Sequence, residues 1–212
     1  MSEKKRLAEA LCAAGASLFG RGLTHGSTGN ISVHLSDGGW LMTPTGSSLG
    51  SLDPARLSVL DAAGRHIGGD APTKEAILHT TMYDKRGSAR AVVHLHSTHS
   101  VAVSCLAEVN HADALPALTA YYVMRVGHLP LVPYYPPGDA ALAAAVGRLA
   151  GKHHALLLAN HGPVVAGSSL AAAVDAIEEL EATAKLYLLL RGERVRPLDE
   201  AQLAELRRRF KS

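Results

Sequence analysis

Residues 91–100 read AVVHLHSTHS, an apolar run that carries histidines at 94, 96 and 99. On a β-strand alternate side chains share a face, so His94 and His96 project together while Val93 and Leu95 face the opposite layer. A buried imidazole without a partner is costly, and a charged one more so. The pair therefore admits two readings of equal weight, core histidines bonded to backbone or side-by-side metal ligands. A third nitrogen is offered by His161, directly after the apolar run LLLAN at 156–160. Three neutral imidazoles at a pocket, with a coordination position left open, make a catalytic rather than a structural zinc arrangement. His99 is read as a supporting residue.

Outward from this stretch, helical and strand patterns alternate. ISVHL (31–35) and WLMT (40–43) are strands around the turn Asp37-Gly38-Gly39, and RLSVLD (56–61) is a third. LPLVPYY (129–135) is extended and HALLLAN (154–160) is a buried strand. The first 19 residues form an amphipathic helix with Leu7, Leu11 and Leu18 on one side. TKEAILHTTMYDKR (73–86), entered through Pro72, is a helix with Ile77, Leu78 and Met82 at core spacing and Lys74 in its first turn. STHSVAVSCLA (97–107) restarts as a helix, and 138–151 and 169–192 are helices with closing glycines. The pattern predicts a single three-layer α/β domain over residues 1–212.

Composition narrows the function classes. The chain has 212 residues, a net charge of +2 and 19% charged residues, which gives no footprint for nucleic acid. The basic tail LRRRFKS (206–212) reads as a solvated helix end. No run approaches the roughly 20 apolar residues of a membrane span. Cys12 and Cys105 lack metal or redox spacing, so a reducing, cytoplasmic setting is expected.

STGN (27–30), PTGS (44–47) and PTKE (72–75) place hydroxyl residues beside glycine or a helix start, where N–H groups and Thr hydroxyls can hold phosphate oxygens. Each alone is an ordinary turn. Their order, followed by HLH and NHG, resembles the class II aldolase/adducin family, from the first helix through EELEATAKLYLLL (178–190). The resemblance implies an α/β/α fold with a central, mainly antiparallel sheet, and homotetramers with sites at subunit contacts. It implies one zinc, or another divalent metal, on His94, His96 and His161. Glu75 matches the family's proton donor and acceptor, which can also occupy the metal when no substrate is bound. Thr28, Gly29, Asn30, Thr45, Gly46, Thr73 and Lys74 fall at the phosphate-binding positions. Tyr121 lies near a tyrosine of the aldolases at a different local spacing, while their C-terminal tyrosine has no match in the tail.

Within the family, LMTPTGSSLGSLDP (41–54), PTKE, HLHSTHS (94–100), YYVMRVGHLPLVPYYPPGD (121–139) and LLLANHGPVV (156–165) resemble the branch that decarboxylates 3-oxo-tetronate 4-phosphates. That branch implies conversion of a small phosphorylated sugar acid to dihydroxyacetone phosphate and carbon dioxide through a metal-stabilised enediolate. Glu75 would protonate the enediolate carbon, with burial acting to raise its pKa. The alternatives are a sugar-phosphate aldolase or epimerase on the same site, and a non-catalytic adducin-like interaction module.

Overall fold

The computed structural model of the chain describes residues 2–210; Met1 and the last two residues of the basic tail, Lys211 and Ser212, lie outside the described residues. Among the described residues, eight strands form one sheet: β1 (Asn30–His34), β2 (Trp40–Met42), β3 (Ser58–Leu60), β4 (His66–Gly68), β5 (Ala91–His94), β6 (Leu131–Val132), β7 (Ala155–Leu158) and β8 (Gly162–Gly167). Their order is β4-β3-β2-β1-β5-β8-β7-β6, antiparallel throughout except for the β6–β7 pair. The β1–β2 hairpin closes as expected at Asp37-Gly38-Gly39. Gly38 adopts φ 91° there, and Leu35 N–H bonds the Gly39 carbonyl at 2.8 Å.

Side-chain alternation splits the core into two layers. Val93 and Leu95 join the cluster under α1 (Glu3–Gly20), α3 (Thr98–Ser104), α4 (Ala120–Arg125) and α6 (Leu170–Leu189). Val92, Leu156 and Val164 face α2 (Ala76–Lys85) and α5 (Ala140–Ala150). The expected three-layer α/β/α arrangement is therefore present. A stripe of Ala173, Ala176, Ile177, Leu180 and Ala184 turns α6 onto the sheet. Its small residues allow close approach, since a Cβ on Gly167 of β8 would sit 2.4 Å from the Ala173 nitrogen. Among the described residues, no helix is long and apolar enough to cross a membrane.

The structure corrects several local expectations. Strand β8 was hidden by Gly162 and Pro163, which ordinarily signal turns. Its neighbour needs the Pro163 carbonyl rather than an N–H, and that carbonyl accepts Leu95 N–H at 3.2 Å. Helix α2 starts at Ala76, not Thr73. The Thr73 hydroxyl and carbonyl take the Glu75 and Ala76 N–H groups in a turn, and Glu75 (φ −96°, ψ 16°) is the non-helical cap. Lys74 therefore lies ahead of the helix, and Ile77 is 41% exposed rather than in the core. Gly151 ends α5 in a right-handed conformation instead of a left-handed cap. Strand β4 and helix α4 carry no expectation from the sequence, whereas the expected helix end in the basic tail is the last turn of helix α7 (Glu200–Arg209), which opens with an Asp199–Gln202 capping box and exposes Arg207, Arg208 and Arg209.

Helix α3, which carries the chain away from His96, is anchored by one buried carboxylate. Glu181 of α6 accepts His99 N–H (2.9 Å), Ser100 N–H (2.8 Å), the Ser100 hydroxyl (2.6 Å) and His99 Nδ1–H (2.7 Å). It satisfies donors that a helix start leaves unpaired, with the favourable charge for that end. His99 is thereby a brace. Glu181→Ala should lower unfolding free energy by about 2–4 kcal/mol, because buried donors lose their acceptor. An unchanged urea midpoint would show that other contacts fix α3.

Candidate metal centre

Antiparallel pairing gathers the site at one end of the sheet. Asn30, at the start of β1, lies opposite His94, at the end of β5, and His94 lies opposite Val164 of β8. A tight turn through Asn160 (φ 54°) joins β7 to β8 and delivers His161 to the same end. Gly29 (φ 78°) is required beside them, since a Cβ there would stand 3.0 Å from the His94 carbonyl.

The three imidazoles converge. His94 Nε2 is 3.1 Å from His96 Nε2 and 3.3 Å from His161 Nε2, and the rings are steeply tilted to one another. Glu75 closes the group, with Oε2 3.4 Å from His94 Nε2 and Oε1 3.2 Å from His161 Nε2. His94 Nδ1–H donates to the Pro163 carbonyl at 2.8 Å, which leaves the Nε2 lone pair directed at the cluster. Glu75 Oε1 is buried and accepts no aligned hydrogen bond among the described residues.

This donor set fits a divalent cation. Four ligands about 2.0–2.1 Å from a tetrahedral centre stand about 3.3 Å apart, close to the separations among these nitrogens and oxygens. The protonation states agree. Burial lowers the pKa of His94 and brings that of His96 down to about 3, so these rings are neutral donors. Burial works to raise the Glu75 carboxyl, as expected. It is outweighed by the His94 and His161 rings and the Asn30 amide, which hold the group below the usual carboxylate range.

His96 and His161 line a cavity of about 510 Å³ with His25, Thr98, Tyr134 and Asn160, a volume suited to a small ligand. Sequence reasoning missed His25 and Tyr134; His25 sits within the loop THGSTGN and follows no metal-like spacing. Thr28 bonds the His25 carbonyl through its hydroxyl at 2.6 Å, beside Gly29. The loops of Thr45-Gly46 and Thr73 are tied by a Pro44–Pro72 bridge and by Thr45 N–H to the Ala71 carbonyl. Thr45 and Gly46 line a separate hollow with Arg56 and Asp70, not the cavity of His96 and His161. Lys74 is exposed, with Gly138 packed against its carbonyl. Tyr121 is 59% exposed beneath the Arg125 guanidinium, away from the cavity lining. Asn30 is buried; its amide nitrogen donates to Glu75 Oε2 and its amide oxygen pairs with His79 Nε2.

Fold and donor set together define an α/β/α protein with a candidate metal centre at the sheet end. Residues 9–188 match the Class II Aldolase and Adducin N-terminal domain, and the chain belongs to that family. It is 48% identical to a 3-oxo-tetronate 4-phosphate decarboxylase of Pectobacterium atrosepticum, over 97% of this chain and 94% of that protein. The solved structure of YgbL from Escherichia coli superposes with a TM-score of 0.95 at 46% identity, covering 97% of this chain and 100% of that one. A solved L-fuculose 1-phosphate aldolase gives a TM-score of 0.88 at 26% identity, covering 100% and 98%.

The buried histidines set a pH dependence. Burial lowers His79 as well, to about 3. A base whose folded pKa lies below its unfolded value near 6.5 binds more protons when unfolded, so stability rises with pH between the two. The metal-free chain should lose stability as pH falls from 6.5, with His79 contributing up to about 1.4 kcal/mol per pH unit. Equal unfolding free energies at pH 7 and pH 5 would contradict neutral buried rings.

Proposed function

We propose that this chain is a metal-dependent carboxy-lyase that converts a 3-oxo-tetronate 4-phosphate to dihydroxyacetone phosphate and carbon dioxide. The observation that carries the reading is the convergence of Glu75 with His94, His96 and His161 in one buried cluster, in a chain 48% identical to a relative named for that reaction. The three histidines would hold the cation, with zinc the proposed ion and Glu75 a fourth ligand before substrate arrives. The bound cation supplies Lewis acidity, drawing electron density from the substrate ketone.

The chain's own residues supply positioning and the proton. Thr28, Gly29, Thr45, Gly46 and Thr73 are proposed for the phosphate by the family resemblance, with the Thr45 and Thr73 hydroxyls as donors, and the exposed Lys74 adds a positive charge for an anionic group. Asn30 is proposed for the phosphate end as well, through the amide hydrogen that Glu75 does not use. When the carbon–carbon bond to the carboxylate breaks, its electron pair stays on the carbon next to the ketone and carbon dioxide leaves. Glu75 then delivers a proton to that carbon and regains one from solvent. Burial acts to raise the proton affinity of Glu75, which suits a group that must hold the proton it delivers.

The likeness to L-fuculose 1-phosphate aldolase favours a second reading, since retro-aldol cleavage leaves electrons on the corresponding carbon. The higher identity to the relative named as a decarboxylase, 48% against 26% for the aldolase structure, weighs toward decarboxylation. A homotetramer is the proposed assembly, by the family resemblance.

Protein loaded with zinc and incubated with 3-oxo-tetronate 4-phosphate in deuterated water should release carbon dioxide and place one deuterium on the carbon that lost carboxylate. Glu75→Gln should slow this by roughly 10²–10⁴-fold while remaining folded. Rapid aldehyde condensation with dihydroxyacetone phosphate, alongside no carbon dioxide from the keto acid, would transfer the assignment to the aldolase reading.

A further inference from the structure

Two periodicities interleave beside Glu75. Asn30 and Ser32 share one face of β1, two residues apart, whereas Glu75, His79 and Tyr83 follow at four-residue steps along α2 and its cap. A step of two on a strand advances about 6.6 Å and a step of four on a helix about 6 Å, so the two rows mesh. The result is an unbroken buried chain of hydrogen bonds. Glu75 Oε2 meets Asn30 Nδ2 at 2.8 Å, Asn30 Oδ1 meets His79 Nε2 at 2.5 Å, His79 Nδ1 meets Ser32 Oγ at 2.7 Å, and Ser32 Oγ meets Tyr83 OH at 2.9 Å.

Chemistry fixes the direction of every bond. The ionised carboxylate can only accept, so the Asn30 amide nitrogen donates to it and the amide oxygen must accept from His79 Nε2–H. A neutral His79 then presents a bare Nδ1, which takes the Ser32 proton, and Ser32 accepts from Tyr83. All donors therefore point toward Glu75. Burial, which keeps His79 neutral, agrees with this tautomer.

We propose that His79, held by Ser32 and Tyr83, is a positioning residue that acts through Asn30 to tie Glu75 Oε2 and leave Oε1 as the oxygen that meets the metal and exchanges the proton. The inference rests on the reading of Glu75 as metal ligand and acid/base. An Asn30 amide free to turn over would offer Glu75 an oxygen instead of a donor. The His79 bond prevents that.

The test is a double-mutant cycle read in zinc affinity by chelator competition, which needs no substrate. His79→Leu should weaken zinc binding about 10–100-fold, the usual effect of removing a support behind a ligand. In a Glu75→Gln background the same change should have almost no effect, because the carboxylate it positions is gone. Should His79→Leu fail to fold, Tyr83→Phe, which removes only the terminal hydroxyl, should give a loss of roughly 3–10-fold with the same dependence on Glu75. Equal losses in both backgrounds, or no loss beside intact Glu75, would overturn the relay and make the chain of bonds a core brace. Coupling that persists without carbon dioxide release would fault only the proposed reaction, whereas carbon dioxide release without coupling would fault only the relay.

Discussion

The Nε2 atoms of His96 and His161 lie 3.1 and 3.3 Å from that of His94, so the three face one common point. His94 Nδ1–H is committed to the Pro163 carbonyl, so its Nε2 has a lone pair to place. Burial makes protonation of that atom unfavourable. A cation is the one electron-pair acceptor that can take the lone pairs of all three rings together, and much of the surrounding structure serves to bring those lone pairs together. Strand pairing sets Asn30, His94 and the start of β8 side by side, Gly29 lets the chain pass against the His94 carbonyl, and Asn160 turns His161 inward.

The supports of this cluster are polar and buried on both sides of the sheet. On one side Glu181 fixes the start of α3 immediately beyond His96. On the other, Asn30, His79, Ser32 and Tyr83 line up behind Glu75. Leaving any one donor or acceptor in these networks unpaired costs more than its bond contributes, so each network favours a single arrangement. That rigidity suits a site whose donor separations must match metal–ligand geometry within a few tenths of an ångström.

Parts of this were legible in the sequence because they follow simple periods. His94 and His96 alternate with Val93 and Leu95, and the structure places the first pair at the cluster and the second in the opposite layer. His161 was legible as the residue ending an apolar strand. Strand β8 was not, because Gly162 and Pro163 serve there for close packing and a carbonyl acceptor rather than a turn. The start of α2 was misread because a side-chain and backbone turn at Thr73 holds Glu75 out of the helix. His79 read as one more helical residue; only the meshing of strand and helix reveals its bond to Asn30. His25 and Tyr134 reach the cavity from loops, whose paths carry no period.

The proposed chemistry requires this cluster to be a metal centre with three histidine ligands. Its most direct test is elemental analysis of the purified chain and of His96→Ala, after equal exposure to zinc and removal of loosely held ions. One tightly held divalent ion per wild-type chain, and essentially none in the variant, is expected. Equal metal content in the two, or none in either, would contradict the three-histidine centre.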